Sequence, residues 1–281
     1  MFAGQKRVSL IGNEENSAPA KKQKLESEEN AVAKEVTKGT VRIGKKRQRG
    51  VQGSTDPVST NFLNIDATSG SNNKIDGHSA TSFSPMKLGP VIESEIFPDL
   101  FKEGTTLKSQ SCLLFENYWQ YGKIFNELGH LKNGKITAAW TAFRQKGYQK
   151  TKGDRHPVGT KTNEVKFKDN KGRNHYRYMT ACSSHYLGEQ MDYLTSRKKI
   201  YIPVYAYLVR QTAAFIALKQ KVDAGASVQV LDFDGPHDGS QIVTLPMLLE
   251  KVNDPQHPFG HGYVLAALLS GFEPEDYCLF E

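Results

Sequence analysis

Leu113-Leu114-Phe115-Glu116-Asn117-Tyr118-Trp119-Gln120-Tyr121-Gly122-Lys123-Ile124-Phe125 is the stretch around which the chain is organised. Turned at about 100° per residue, it puts Leu114, Tyr118, Tyr121 and Phe125 on one apolar stripe. Glu116, Gln120 and Lys123 fall on the opposite side, flanked by Phe115 and Trp119 on one edge and Ile124 on the other. A helix that is apolar nearly all round is normally buried. Its acid-amide-amine stripe then faces a pocket, since a buried charge without partners costs on the order of several kcal/mol. The other reading is a solvated face, with Glu116 and Lys123 as a pair worth about a few tenths of a kcal/mol.

Working outward, Gly129 is expected to end this helix. Ile136, Ala139, Trp140 and Phe143 keep helical spacing over 135–147, closed by Gly147. Val165-Lys166-Phe167-Lys168 and His175-Tyr176-Arg177-Tyr178 alternate as strands do, and Asp169-Asn170-Lys171-Gly172 between them reads as the turn of a hairpin. A helix is expected over 187–199, then a long one over 203–222 with Pro203 in its first turn and Gly225 after it. Val228-Gln229-Val230-Leu231 is a strand running into Asp232-Phe233-Asp234-Gly235-Pro236. Thr244 and Pro246 open a short helix, and the apolar stretch 260–270 is a core element. Upstream, residues 1–87 lack tryptophan and tyrosine and are rich in Ser, Asn, Gly, Lys and Glu, which predicts disorder. The expected architecture is α+β: one mainly helical domain over 88–281 with a small hairpin or sheet, preceded by a long disordered tail over 1–87.

The charge is unevenly placed. Residues 1–55 hold 12 Lys/Arg against 6 Asp/Glu, whereas the remainder holds 25 against 24. The basic character therefore belongs to the tail and argues little for a nucleic-acid-binding fold. Two clusters stand out there, Lys21, Lys22 and Lys24 in one, Lys45, Lys46, Arg47 and Arg49 in the other. Short exposed clusters of this kind are what nuclear-import receptors read, and the first resembles a monopartite localisation signal. A solvated linker or a non-specific nucleic-acid patch would look the same. The expected location is the nucleus, or nucleus and cytoplasm. Cys112, Cys182 and Cys278 are far apart and form no disulfide framework or zinc spacing. No apolar run reaches the roughly 18–20 residues that span a bilayer, so no membrane partner is expected.

Three constellations carry chemistry. Glu116, Gln120 and Lys123 on the central helix are the first. The second is the acid pair Asp232 and Asp234, spaced to point one way at a strand's carboxyl end, where ligands often bind. The pair suits a metal, ribose hydroxyls or acid–base work, or else caps its own turn. The third is Gly260-His261-Gly262 at a helix start, a place that favours an anion such as phosphate. His261 would donate to that phosphate or act as an acid–base, unless it is only a cap or a satisfied core residue. Arg173-Asn174-His175-Tyr176-Arg177-Tyr178 reads either as a base-stacking segment or as a charged strand edge. The histidines show no metal spacing, so neither a metal nor a cofactor is expected.

Glu116-Asn117-Tyr118-Trp119-Gln120-Tyr121-Gly122-Lys123 resembles the Glu-aromatic-Gln-x-x-Lys signature of the NADAR family, and Gly262-Tyr263-Val264-Leu265 is similar to a late helix of the same family. Those small, mainly helical enzymes cleave N-glycosidic bonds in riboflavin-pathway intermediates or in ADP-ribosylated guanine. The resemblance implies Glu116 as the carboxylate that stabilises charge on C1', Lys123 as a cation or proton donor, and Gln120 as an orienting amide. It further implies Trp119 stacked on a base, Asp232 and Asp234 on ribose hydroxyls, and a phosphate at Gly260–Gly262. Glu116-Asn117-Tyr118-Trp119-Gln120, Arg197-Lys198-Lys199-Ile200-Tyr201-Ile202-Pro203-Val204-Tyr205, Asp232-Phe233-Asp234-Gly235-Pro236 and Pro258-Phe259-Gly260-His261-Gly262-Tyr263 carry a closer likeness, over roughly 112–277, to an uncharacterised group of archaeal and viral proteins. The expected function is a nuclear N-glycosidase acting on a nucleotide-like small molecule or an ADP-ribosylated nucleic acid, with an import receptor as partner. The alternative is a non-catalytic nucleotide- or nucleic-acid-binding protein.

Overall fold

Val228-Gln229-Val230-Leu231-Asp232 is buried at four of its five positions, Gln229 and Asp232 included, and a strand covered on both faces belongs in the middle of a parallel sheet. In the computed structural model it lies there. Residues 37–46, 61–67, 74–75, 78–125, 128–155, 157, 166–168, 174–176, 182–184 and 189–280 are described, and Thr37–Glu281 forms one compact unit. The main sheet contains β1 (Val41–Lys45), β2 (Leu63–Asp66), β3 (Val228–Asp232) and β4 (Gln241–Ile242), in the order β4-β1-β3-β2. β3 runs parallel to both neighbours, with Val41 opposite Val228 and Ile65 opposite Val230, while β4 pairs antiparallel with β1.

The fold is α+β, as expected, but the compact unit begins far earlier than residue 88. Strands β1 and β2 come from the segment read as a disordered tail, and Ile43 and Ile65 are wholly buried beside β3. Lys45 ends β1, and Lys46 pairs with Asp66 while its amide donates to the Asp232 carbonyl at 2.8 Å. Both lysines thus stand at the carboxyl end of β1, half-buried. Lys21, Lys22, Lys24, Arg47 and Arg49 lie outside the described residues.

The principal helices are α1 (Phe115–Tyr121), α2 (Ala138–Tyr148), α3 (Ile202–Arg210), α4 (Ala213–Asp223), α5 (Leu245–Asn253) and α6 (His261–Ser270). Apolar on every face, α6 is buried over nine consecutive residues and packs against β1, β3, α3 and α4. The central helix stops at Tyr121, capped by Gly122 rather than by Gly129. Gly147 does not close α2. It lies inside it, because a Cβ there would sit 2.0 Å from the Tyr121 ring, and its absence lets α1 and α2 touch.

The expected helix over 187–199 and the long helix after it are both rearranged. Glu189–Met191 is a strand paired with Cys182–Ser184. Asp192 then caps a helical run by accepting the Thr195 amide at 2.6 Å, and Arg197–Tyr201 is a π-helical turn leading into α3. At Thr212 the chain restarts, its hydroxyl accepting the Phe215 amide at 3.1 Å, so 203–222 is two helices. The hairpin is present as backbone, Lys166–Lys168 against Asn174–Tyr176. Its turn, Arg173, Arg177 and Tyr178 lie outside the described residues, as does His156.

Candidate functional site

The carboxyl end of β3 opens into a cavity of about 280 Å3. Glu116, Trp119 and Gln120 reach it from α1, Asp232 and Asp234 from the end of β3, and Gly260 and His261 from the start of α6. Residues from three separate stretches of sequence thus meet at one place.

Helix α1 has no side-chain cap. Its first amides are satisfied by the backbone, Phe115 donating to Leu88 at 2.8 Å and Glu116 to Pro85 at 3.0 Å. This fixes the first turn, and Glu116 is buried against the cavity. The polar stripe is a chain of hydrogen bonds: Lys123 Nζ donates to Gln120 Oε1 at 2.8 Å, and Gln120 Nε2 donates to Glu116 Oε1 at 2.9 Å. Lysine can only donate, so it fixes which way the Gln120 amide points, and the amide nitrogen is turned to the carboxylate. Lys123 itself does not line the cavity. Its ammonium lies 5.5 Å from the Trp119 ring, and a role as proton donor in the cleft is corrected to one of orienting Gln120.

Asp232 is buried, and its Oδ2 accepts the Gly262 amide at 2.8 Å and lies 3.4 Å from His261 Nδ1. The other ring nitrogen, Nε2, is 3.1 Å from the Ala67 carbonyl, which can only accept, so Nε2 carries a hydrogen. The positive end of α6 is therefore already occupied by an internal carboxylate. The expectation of a phosphate at Gly260–Gly262 is corrected: Gly262 does not line the cavity, and its amide is taken. A Cβ at Gly262 would lie 2.5 Å from the Asp232 Cβ, and one at Gly260 would lie 2.8 Å from the Asp234 Oδ2, which accounts for both glycines. Gly262→Ala is expected to destabilise the protein by about 1–3 kcal/mol by overpacking. Without the Asp232 contact the same change inside a helix would instead stabilise by about 0.5–1 kcal/mol, so the sign of the shift in urea midpoint checks the geometry.

Asp234 is half-buried beside Asp232. Burial, and then the negative charge of Asp232, push its carboxyl up to about 6, against the pull of His261, Lys45 and Arg155. Tyr201, from the π-helical turn, also lines the cavity and packs edge-on against Trp119 at 5.0 Å. Burial and the charges of Glu116, Asp232 and Asp234 hold its phenol well above the usual range, so it stays an O–H donor among carboxylates.

Sequence reasoning missed Tyr201, Arg155 and Arg197. Tyr201 and Arg197 come from a π-helical turn, a feature often found at functional sites but without a recognisable spacing. Arg155 sits in a loop after α2. Cys112 and Cys278 are buried thiols pushed up to about 12 by burial, which makes them poor nucleophiles. Among the described residues no group of three or more His, Cys, Asp or Glu is arranged to hold a metal ion, and no helix is long and apolar enough to cross a membrane. No protein-family model matches the chain, and no curated protein or solved structure matches it either.

Proposed function

We propose that the protein is a hydrolase of N-glycosidic bonds acting on a nucleotide-like or ADP-ribosyl substrate. One observation carries the reading: Asp234, with its carboxyl near 6, shares a cleft with Glu116. Glycoside hydrolysis asks for such a pair, one group able to give a proton to the leaving base and one carboxylate to stabilise positive charge at the anomeric carbon. In this assignment Asp234 protonates the leaving nitrogen as the C1'–N bond breaks. Glu116, oriented by Gln120, faces the developing oxocarbenium. Water then adds to C1' and returns a proton to Asp234. Trp119 and Tyr201 supply an aromatic wall for the base.

The alternative, a non-catalytic nucleotide- or nucleic-acid-binding protein, draws less support from the cleft, because binding alone does not call for a carboxyl near 6 beside a second carboxylate. The basic residues Lys21, Lys22 and Lys24 support a nuclear site of action. The test is release of free base from a panel of nucleotides, nucleosides and ADP-ribosylated guanosine. The full chain is expected to liberate base from at least one, and Glu116→Gln to reduce that rate by about 10²-fold or more. Base release that survives the substitution unchanged would remove the proposal.

A further inference from the structure

Three carboxylates line the cleft, yet a nucleotide-like substrate brings phosphate, so the negative charge of the ligand needs its own partner. The helix start that usually serves is closed, since Asp232 holds the Gly262 amide. Arg197 lines the cleft but is wholly buried, and its guanidinium donates to the carbonyls of Val252 (3.2 Å), Asp254 (3.1 Å) and His257 (3.0 Å), where it closes the end of α5. Arg155 is different. It lines the same cavity and is exposed, and its guanidinium makes no hydrogen bond to the described residues.

The loop leading to Arg155 is held with unusual care for an exposed side chain. Asn117, wholly buried on α1, donates to the carbonyls of Lys152 (3.0 Å) and Lys150 (3.3 Å) and accepts the Asp154 amide (2.8 Å). One turn on, the Tyr121 hydroxyl donates to Asp154 Oδ2 at 2.9 Å and accepts from Lys150 Nζ at 2.8 Å, and Lys150 also pairs with Asp154. Helix α1 thus does two things at once: Glu116 and Gln120 face the cleft, and Asn117 and Tyr121, on the next stripe round, fix the residue before Arg155.

We propose that Arg155 anchors a phosphate group of the ligand at the cleft, and that Asn117 is the positioning residue that sets the Arg155 loop. The proposal rests on this cleft being the substrate site, and it narrows the substrate class to phosphorylated glycosides. A guanidinium suits phosphate through paired N–H donors, and at the rim it holds charge away from the carboxylates.

The experiment compares AMP with adenosine, which differ only in the phosphate, by calorimetric titration of the full chain. Wild type is expected to bind AMP about tenfold or more tighter than adenosine, with the advantage shrinking as salt rises. Arg155→Ala is expected to bring the two ligands within about twofold while leaving adenosine unchanged, and Arg155→Lys to keep part of the preference. Asn117→Ala is expected to weaken AMP selectively. Where that variant fails to fold, Tyr121→Phe, which keeps the ring and removes the bond to Asp154, gives the same readout. A phosphate preference that persists in Arg155→Ala, or a wild type that does not favour AMP, overturns the proposal. An Arg155-dependent preference with no N-glycoside cleaved leaves the anchor standing and removes the hydrolase reading. Cleavage indifferent to phosphate and to Arg155 does the reverse.

Discussion

Asp234→Asn is expected to lower the hydrolytic rate by about 10²–10⁴-fold, the usual contribution of a positioned proton donor. The substitution is nearly isosteric, and it removes a carboxyl that burial and the Asp232 charge hold up to about 6. The pH profile separates this from a binding defect. As the proposed acid, Asp234 acts in its protonated form, so wild-type kcat/KM should fall about tenfold per pH unit above about 6. The direction follows from the causes: burial and the Asp232 charge favour the neutral carboxyl, and Lys45, Arg155 and His261 oppose them without prevailing. Asp234→Asn should lose that descending limb, with its residual rate independent of pH over the same range. A variant that keeps the limb would remove Asp234 from the role of proton donor.

Much of this site was legible because it is built from local periodicities. The spacing of Glu116 and Gln120 along a helix, and of Asp232 and Asp234 at a strand end, puts side chains on one face wherever the element lies, and all four line the cavity. What could not be read depends on distant partners. Val41-Arg42-Ile43 is a short apolar patch in a polar segment, and only β3, far along the chain, makes it a buried strand. The anion-binding promise of the Gly260–Gly262 helix start was sound as chemistry, but Asp232 had claimed it. Lys123 sits on the predicted stripe and still misses the cavity, because the helix ends at Tyr121 before reaching it. Arg155 carries no spacing at all; its place is set by Asn117 through the preceding backbone.

Arg144→Leu is expected to destabilise the protein by about 3–5 kcal/mol at pH 8, the cost of leaving a buried charge without its partner. Glu93 is wholly buried. Its Oε1 accepts from Arg144 Nη2 at 2.8 Å and from the Tyr118 hydroxyl at 3.2 Å, and Oε2 accepts the Gln110 amide at 3.0 Å. Arg144 Nε in turn donates to the Tyr148 hydroxyl at 2.8 Å, so the network joins α1 and α2 to the segment before them. Burial works against the Arg144 charge, and Tyr148 and Glu93 outweigh it. Burial also pushes the Glu93 carboxyl up to about 7, against the pull of Arg144 and of its hydrogen bonds. A carboxyl raised in the folded state favours folding with its proton on, so this contribution is complete below its ordinary 4.5 and is lost as pH climbs through about 7. Removing Arg144 raises it further. The penalty of Arg144→Leu should therefore be largest at pH 8 and should shrink by pH 5, where Glu93 is neutral in both proteins, as urea midpoints at the two pH values would report. An equal penalty at both would reduce the pair to ordinary packing. A penalty that shrinks with acid would mean that the charge of the buried Glu93–Arg144 pair, through Tyr118 and Tyr148, ties α1 and α2 to the segment before them.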